Sequence, residues 1–275
     1  MTKRKENFIK SLLDKSDLKE YIRVFPNKVG SEGYDAWGFN IKSVKQTIRL
    51  AKILYENYFR VEVFGLENIP KDGRVLIIPN HSGQLPIDGV MVGYAMLTNP
   101  NGPRAPKAMA ERFFPTLPFV GNWINSMGAV IGDTVNCERM LDNDEAIIVF
   151  PEGVRGSGKT YDKRYQLQRF GNGFMHLAMK HKTPIIPVGI VGFEESIISV
   201  ADIKVLAKLL AVPYIPLTLP AILPSKVFIH FGKPMYFEDG EYTETEVKTK
   251  VDTVKNEIKH LIDLGLQKRK SIFQK

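Results

Sequence analysis

His81 stands at the end of an apolar run at residues 75–80, and Asp88 follows it seven positions later. Histidine, with an ordinary pKa near ~6.5, is the side chain best suited to take and return a proton at neutral pH. A carboxylate beside it would hold the ring, decide which nitrogen carries the proton and stabilise the imidazolium. Further along, Glu152, Gly153 and Arg155 follow a second apolar run at 146–150. Arg155 suits paired hydrogen bonds to a phosphate or polar head group. Glu152 suits orienting an acceptor's hydroxyls or holding its own loop. The bland alternatives are a structural histidine at a strand end, Asp88 capping a nearby helix, and a turn-stabilising ion pair of Glu152 with Arg155.

The same loop reads Gly153-Val-Arg-Gly-Ser-Gly-Lys159-Thr160, which matches the phosphate-binding pattern G-x-x-x-x-G-K-[ST]. Its glycine amides could cradle phosphate and Lys159 could add charge. Three features argue against nucleotide binding. Pro151 and Glu152 separate the apolar run from the first glycine, residues 161–171 carry no helical stripe, and no strand ends in an aspartate for magnesium. A nucleotide-binding protein built on 153–160 is therefore the second reading. In the first reading Lys159, Lys163, Arg164 and Arg169 form a basic run that could meet the phosphates of a donor molecule. A solvated basic loop near anionic lipid is the alternative.

The elements that must carry these residues are legible from periodicity. From residue 60 onward, strand patterns at 60–65, 75–80, 107–110, 129–131, 146–150, 185–191 and 227–231 alternate with helix-compatible segments at 86–98, 136–143, 171–181 and 197–210. This predicts an α/β fold, with a mixed, mostly parallel central sheet flanked by helices. The clearest helix is the last. Thr243 and Glu246 form a capping-box pattern, Val247, Val251, Val254, Ile258 and Leu261 make one stripe, and Gly265 is expected to end it.

Residues 1–59 are expected to form a basic, membrane-proximal helical extension, with the α/β domain at 60–275. The first 60 residues hold 13 Lys/Arg against 7 Asp/Glu, most of the chain's net charge of +8. Val44, Ile48, Ala51, Tyr55 and Tyr58 form an apolar stripe, opposite Lys42, Lys45, Arg49 and Lys52. Such a helix packs on the domain or lies in a membrane interface. The opening Met-Thr-Lys-Arg-Lys-Glu lacks a following apolar core, so it is not expected to be a signal peptide. Its most apolar window, 205–224, is interrupted by Lys208, Pro213, Pro216, Pro220 and Pro224, which argues against a membrane span. The single cysteine, Cys137, excludes an internal disulfide framework and gives no metal cluster. His176 and His181, five apart, fit no helical metal pair.

Four local patterns occur in a fixed order. They are Asn80-His81-Ser-Gly-Gln-Leu-Pro-Ile-Asp88-Gly89, Gly128-Ala-Val-Ile-Gly132, Val149-Phe-Pro-Glu152-Gly153-Val-Arg155-Gly156 and Thr183-Pro184-Ile-Ile-Pro187-Val-Gly189. The ordered set resembles the glycerolipid acyltransferase superfamily, and within it the bacterial branch similar to mono- and diacylglycerol acyltransferases. The resemblance covers about 60–235 and extends to Tyr34-Asp-Ala-Trp-Gly-Phe39 and Phe231-Gly-Lys-Pro234. It implies transfer of a fatty acyl group from acyl-CoA or an acyl carrier protein to a lipid hydroxyl. A thioester is already activated, so no cofactor and no metal are expected. The implied roles are His81 as general base oriented by Asp88, with Glu152, Gly153, Arg155 and Lys159 binding substrate. Backbone amides of the glycine-bearing turns would serve the developing oxyanion. The expected partners are a lipid acceptor, the acyl donor and a membrane surface, without nucleic acid. The expected place is the cytoplasmic face of the cell membrane, peripheral or monotopic.

The chain departs from the superfamily pattern twice. Six residues, rather than four, separate His81 from Asp88, and the second motif continues as Gly132-Asp133-Thr134 where phosphate-acceptor enzymes usually place an arginine. Lysophosphatidate and a neutral acylglycerol both stay open as acceptors. A third reading is a basic lipid-binding protein without catalysis.

Overall fold

Val75 and Ile77 face one side of a sheet, Leu76 and Ile78 face the other, and all four are fully buried. A strand that is apolar on both sides must be covered on both faces. In the computed structural model, which describes residues 29–83, 86–112, 120–202, 216–218 and 222–274, the cover is supplied by helices. Helix α1 (Ile41–Ile53) continues as a π-turn at Leu54–Tyr58 and leads to β1 (Glu62–Phe64). Then come β2 (Val75–Pro79), α2 (Ile87–Leu97), β3 (Lys107–Ala110), α3 (Val120–Ser126), β4 (Ala129–Ile131), α4 (Thr134–Asp142) and β5 (Ala146–Ile148). The one-turn α5 (Val154–Ser157), α6 (Gly173–Lys180), β6 (Ile185–Val191) and the short α7 (Phe193–Ser196) follow. The described chain closes with β7 (Ser199–Asp202), β8 (Pro216–Thr218), β9 (Phe228–Phe231) and α8 (Glu244–Lys268).

The main sheet has the order β1-β9-β6-β2-β5-β3-β4. The five strands from β6 to β4 are mutually parallel, while β9 runs antiparallel to β6 and carries β1 with it. Helices α1 and α2 contribute to the core on one face, and α4, α6 and α8 to the core on the other. The mixed, mostly parallel α/β architecture is the one expected from the alternation.

The apolar stripe of α1 turns inward: Val44, Ile48 and Ala51 are buried in the same core as β2. Upstream of α1, Asp35 forms a buried ion pair with Lys107 at the start of β3, and Lys107 also lies over the Phe39 ring. The described part of the N-terminal region is thereby tied into the α/β core. Residues 1–28 lie outside the described residues.

Two expectations are corrected. The helix expected at 197–210 gives way at 199–202 to β7, which pairs antiparallel with β8 across a bulge. Residues 203–210 lie outside the description. Gly265 does not end the last helix, which runs to Lys268 from the Thr243 capping box. A Cβ at Gly265 would lie 2.9 Å from the Val191 side chain, so the glycine permits close contact between α8 and β6. The apolar window 205–224 falls mostly outside the described residues. Among those described, no helix is long and apolar enough to cross a membrane.

Candidate active site

Parallel strands deliver whatever follows them to one edge of the sheet, where open α/β sheets bind ligands. Here β2 is followed by Asn80 and His81, β5 by Phe150, Pro151 and Glu152, β6 by Glu194, and β3 by Glu111. Because β2 lies between β6 and β5, His81 emerges between the other two chain segments.

His81 Nδ1 lies 2.9 Å from Asp88 Oδ2. The same oxygen accepts the Ser82 backbone N–H at 3.0 Å, and Oδ1 accepts that of Gly89 at 2.7 Å. Asp88 is the second residue of α2 and is fully buried. The position before the helix belongs to Pro86, so Asp88 holds the histidine rather than capping the helix. With a carboxylate as its neighbour, Nδ1 carries the ring proton and Nε2 is left to accept one. The Phe150 ring stacks on the imidazole at 4.1 Å and 13°. The ring is therefore held at its edge and on its face.

The main chain of His81 is held as firmly. Its N–H donates to Glu152 Oε1 at 2.9 Å, and its carbonyl accepts from Lys159 Nζ at 3.2 Å. Glu152, fully buried, uses its other oxygen for the Gln168 N–H at 2.7 Å. Lys159 pairs with Glu194 at 2.5 Å and lies 3.9 Å from Glu152. Burial pushes the Glu194 carboxyl above the usual carboxylate range, against the pull of Lys159 and the Tyr165 N–H. Gly153 makes the turn into α5 at φ +55°, ψ −149°, a conformation essentially reserved for glycine. Three residues on, a Cβ at Gly156 would lie 2.7 Å from the Cβ atoms of both His81 and Glu152. The glycines of this loop thus let α5 press against the histidine.

The site residues named from sequence separate into two groups. His81, Asp88 and Glu152 come together. Arg155 is exposed and donates to the Arg169 carbonyl at 3.3 Å. Lys159, expected in a basic run facing donor phosphates, is buried and turned inward, because a carboxylate and the His81 carbonyl await it there. Glu194 was not singled out from sequence. The signal was present: Gly192-Phe-Glu194-Glu195 ends an apolar strand just as Asn80-His81 does.

Beneath the His81–Asp88 pair opens a cavity of about 200 Å³. Pro86 just before α2, with Gly89, Gly93 and Leu97 at helical spacing along it, forms one wall, and Val44, Ile48 and Ala51 of α1 form another. From Asp88 to Leu97 the cavity follows the helix for nine residues, about 13 Å at 1.5 Å per residue. Among the described residues its ionisable lining side chains are His81, Asp88, Tyr94 and Glu111, without a lysine or arginine. The arrangement is a carboxylate-paired histidine at the head of a narrow apolar slot.

Residues 60–191 match the Acyltransferase family. The chain is 35% identical over 259 residues to an uncharacterized protein of Mycobacterium tuberculosis, covering 89% of this chain and 72% of that one. It is 28% identical over 208 residues to the human "DGAT1/2-independent enzyme synthesizing storage lipids", covering 74% of this chain and 60% of that protein. Its fold is similar to the crystal structure of the 1-acyl-sn-glycerophosphate acyltransferase PlsC from Thermotoga maritima, with a TM-score of 0.58 at 21% identity, over 96% of this chain and 88% of that one. A family match across the segment that builds this sheet edge, together with these relatives, places the chain in the glycerolipid acyltransferase superfamily.

Proposed function

We propose that this acyltransferase moves a fatty acyl group from an acyl thioester, acyl-CoA or acyl carrier protein, to the hydroxyl of a lipid at a membrane surface. The observation that carries the reading is the His81–Asp88 pair, 2.9 Å apart, at the head of an apolar cavity. In the slot, the acyl chain would lie along α2 with its thioester carbonyl beside His81. Nε2 takes the proton of the acceptor hydroxyl as its oxygen bonds to the carbonyl carbon. The tetrahedral intermediate then collapses, the carbon–sulfur bond breaks, and the imidazolium returns the proton to the departing thiolate. Asp88 stabilises the transient imidazolium, and no enzyme-bound acyl group is formed.

A lining without lysine or arginine among the described residues favours an uncharged acceptor head, such as an acylglycerol, over a phosphate monoester. Glu111 adds negative charge where phosphate would approach. Trp123, half exposed and also part of the cavity wall, suits an entrance turned toward lipid.

The test is a mass-spectrometric assay of the purified chain with acyl-CoA against monoacylglycerol, diacylglycerol and lysophosphatidate, beside a His81→Ala variant. The expected result is transfer to a neutral acceptor at least tenfold faster than to lysophosphatidate, reduced about 10²–10⁴-fold in His81→Ala. Undiminished turnover by His81→Ala would remove the histidine from the mechanism. Preference for lysophosphatidate would overturn the neutral-acceptor reading alone.

A further inference from the structure

Lys159 occupies the lysine position of the phosphate-binding pattern at 153–160, yet its ammonium group faces the protein interior. His81 lies beyond the end of β2, so no strand neighbour is bound to its main chain. Side chains take that place, Glu152 on the N–H and, on the carbonyl, Lys159 at 3.2 Å with the Asn80 amide at a longer 3.5 Å. A half-buried polar group left without a partner is costly, so these contacts restrict where this residue can sit. A base one bond rotation away from its acceptor loses much of its advantage, and a displacement of about 1 Å can cost about 10²-fold in rate.

Glu194 completes the arrangement. It pairs with Lys159 at 2.5 Å and accepts the Tyr165 N–H at 2.6 Å. The Tyr165 hydroxyl accepts from Gly192 N–H and from Arg269, each at 3.2 Å, and Arg269 forms a two-pronged pair with Glu195. A chain of polar contacts thus runs from the His81 carbonyl, through α7, to Arg269, the residue that follows α8.

We infer that Lys159 and Glu194 are positioning residues for His81: the pair clamps the histidine's main chain so that its ring stays aligned between Asp88 and the reacting hydroxyl. The inference rests on the acyl-transfer reading for its kinetic consequence. It also assigns a role to the lysine of the phosphate-loop pattern that requires no phosphate.

The experiment compares the full chain with Lys159→Met and with Lys159→Met/Glu194→Gln, which removes both charges so that neither is stranded. Each protein is confirmed folded by circular dichroism and assayed with acyl-CoA and with the acyl-pantetheine thioester, which lacks the nucleotide phosphates. A clamp predicts that kcat falls about 10–100-fold with both donors while KM for each stays within about threefold. Glu194→Gln alone, which keeps one of the two oxygen acceptors, should lower kcat less than the double variant does. A loss confined to acyl-CoA and expressed in KM would make Lys159 a phosphate ligand instead. Unchanged kcat in the folded variants would dismiss the clamp. Histidine-selective NMR reads the clamp without turnover. The His81 ring signal, identified by its loss in His81→Ala, should shift or broaden in Lys159→Met. An unmoved signal overturns the clamp even if the wild-type chain transfers nothing, and a moved signal in an inactive chain supports the clamp while counting against acyl transfer.

Discussion

A histidine beyond a strand end can be aimed only if its ring and its main chain are both restrained, and here both are. Asp88 and Phe150 hold the imidazole, while Glu152 and Lys159 hold the backbone. Asp88 is the more informative test because its oxygens divide between the ring and two backbone N–H groups. Asp88→Asn keeps the volume but removes the charge that steadies an imidazolium and sets an NH2 group against either the Gly89 N–H or the site shared by Ser82 N–H and His81 Nδ1. Transfer should fall about 10²–10⁴-fold in kcat with little change in KM, and a thermal melt should show the fold retained. A variant with wild-type kcat would mean that the ring needs no orienting carboxylate. His81 and Asp88 were legible in sequence because they are near neighbours joined by one turn. The six-residue spacer proved compatible with the pairing. Glu194 was not legible as their partner, since nothing near it in the chain names Lys159.

At the scale of elements, α2 does two jobs. Its first turn carries Asp88, and the face bearing Gly93 and Leu97 lines the cavity. Gly93 lies five residues beyond Asp88, about 7.5 Å along the axis. Its Cβ would meet only Pro106, at 3.8 Å, so a side chain there projects into open space. Gly93→Leu should therefore shorten the preferred acyl chain and leave short-chain turnover within about threefold. Competition between short and long acyl-CoA donors measures this directly, and an unaltered chain-length profile would place the acyl group elsewhere. The α1 stripe shows how periodicity is read correctly and placed ambiguously. Spacing revealed one apolar face on α1, but only packing decided that this face meets the core and the cavity.

For the whole molecule, a stability test lies far from the site. His230 in β9 is buried, stacks on Phe64 at 4.5 Å, and among the described residues neither ring nitrogen has a hydrogen-bond partner. Burial, reinforced by the positive charge of Lys268, pushes its pKa down to about 4. The unfolded chain, with an ordinary value near ~6.5, therefore binds this proton more readily than the folded one. Stability is fully present above pH ~6.5, declines as pH falls, and the loss from this group levels off below about 4. His230→Phe should flatten that part of the profile, read as melting temperature between pH 7 and 4. An unchanged slope would mean that other groups govern the acid limb.

The sequence by itself determined what depends on short stretches of chain. The two-sided apolar β2, the capping box of α8, the histidine at a strand end and its aspartate all follow from side-chain periodicity and nearest neighbours. Gly265 was misread for the same reason, since a glycine near a helix end looks like a stop until β6 is seen against it. The tertiary structure alone decided the order of the strands. That order sets β5 and β6 on either side of β2, bringing Glu152 and Lys159 to the main chain of His81 and Glu194 to Lys159. Which strands become neighbours is settled by the packing of the entire sheet between its two helical layers, a property no local window contains. The same packing turned Lys159, a phosphate ligand by its motif, toward the histidine it holds.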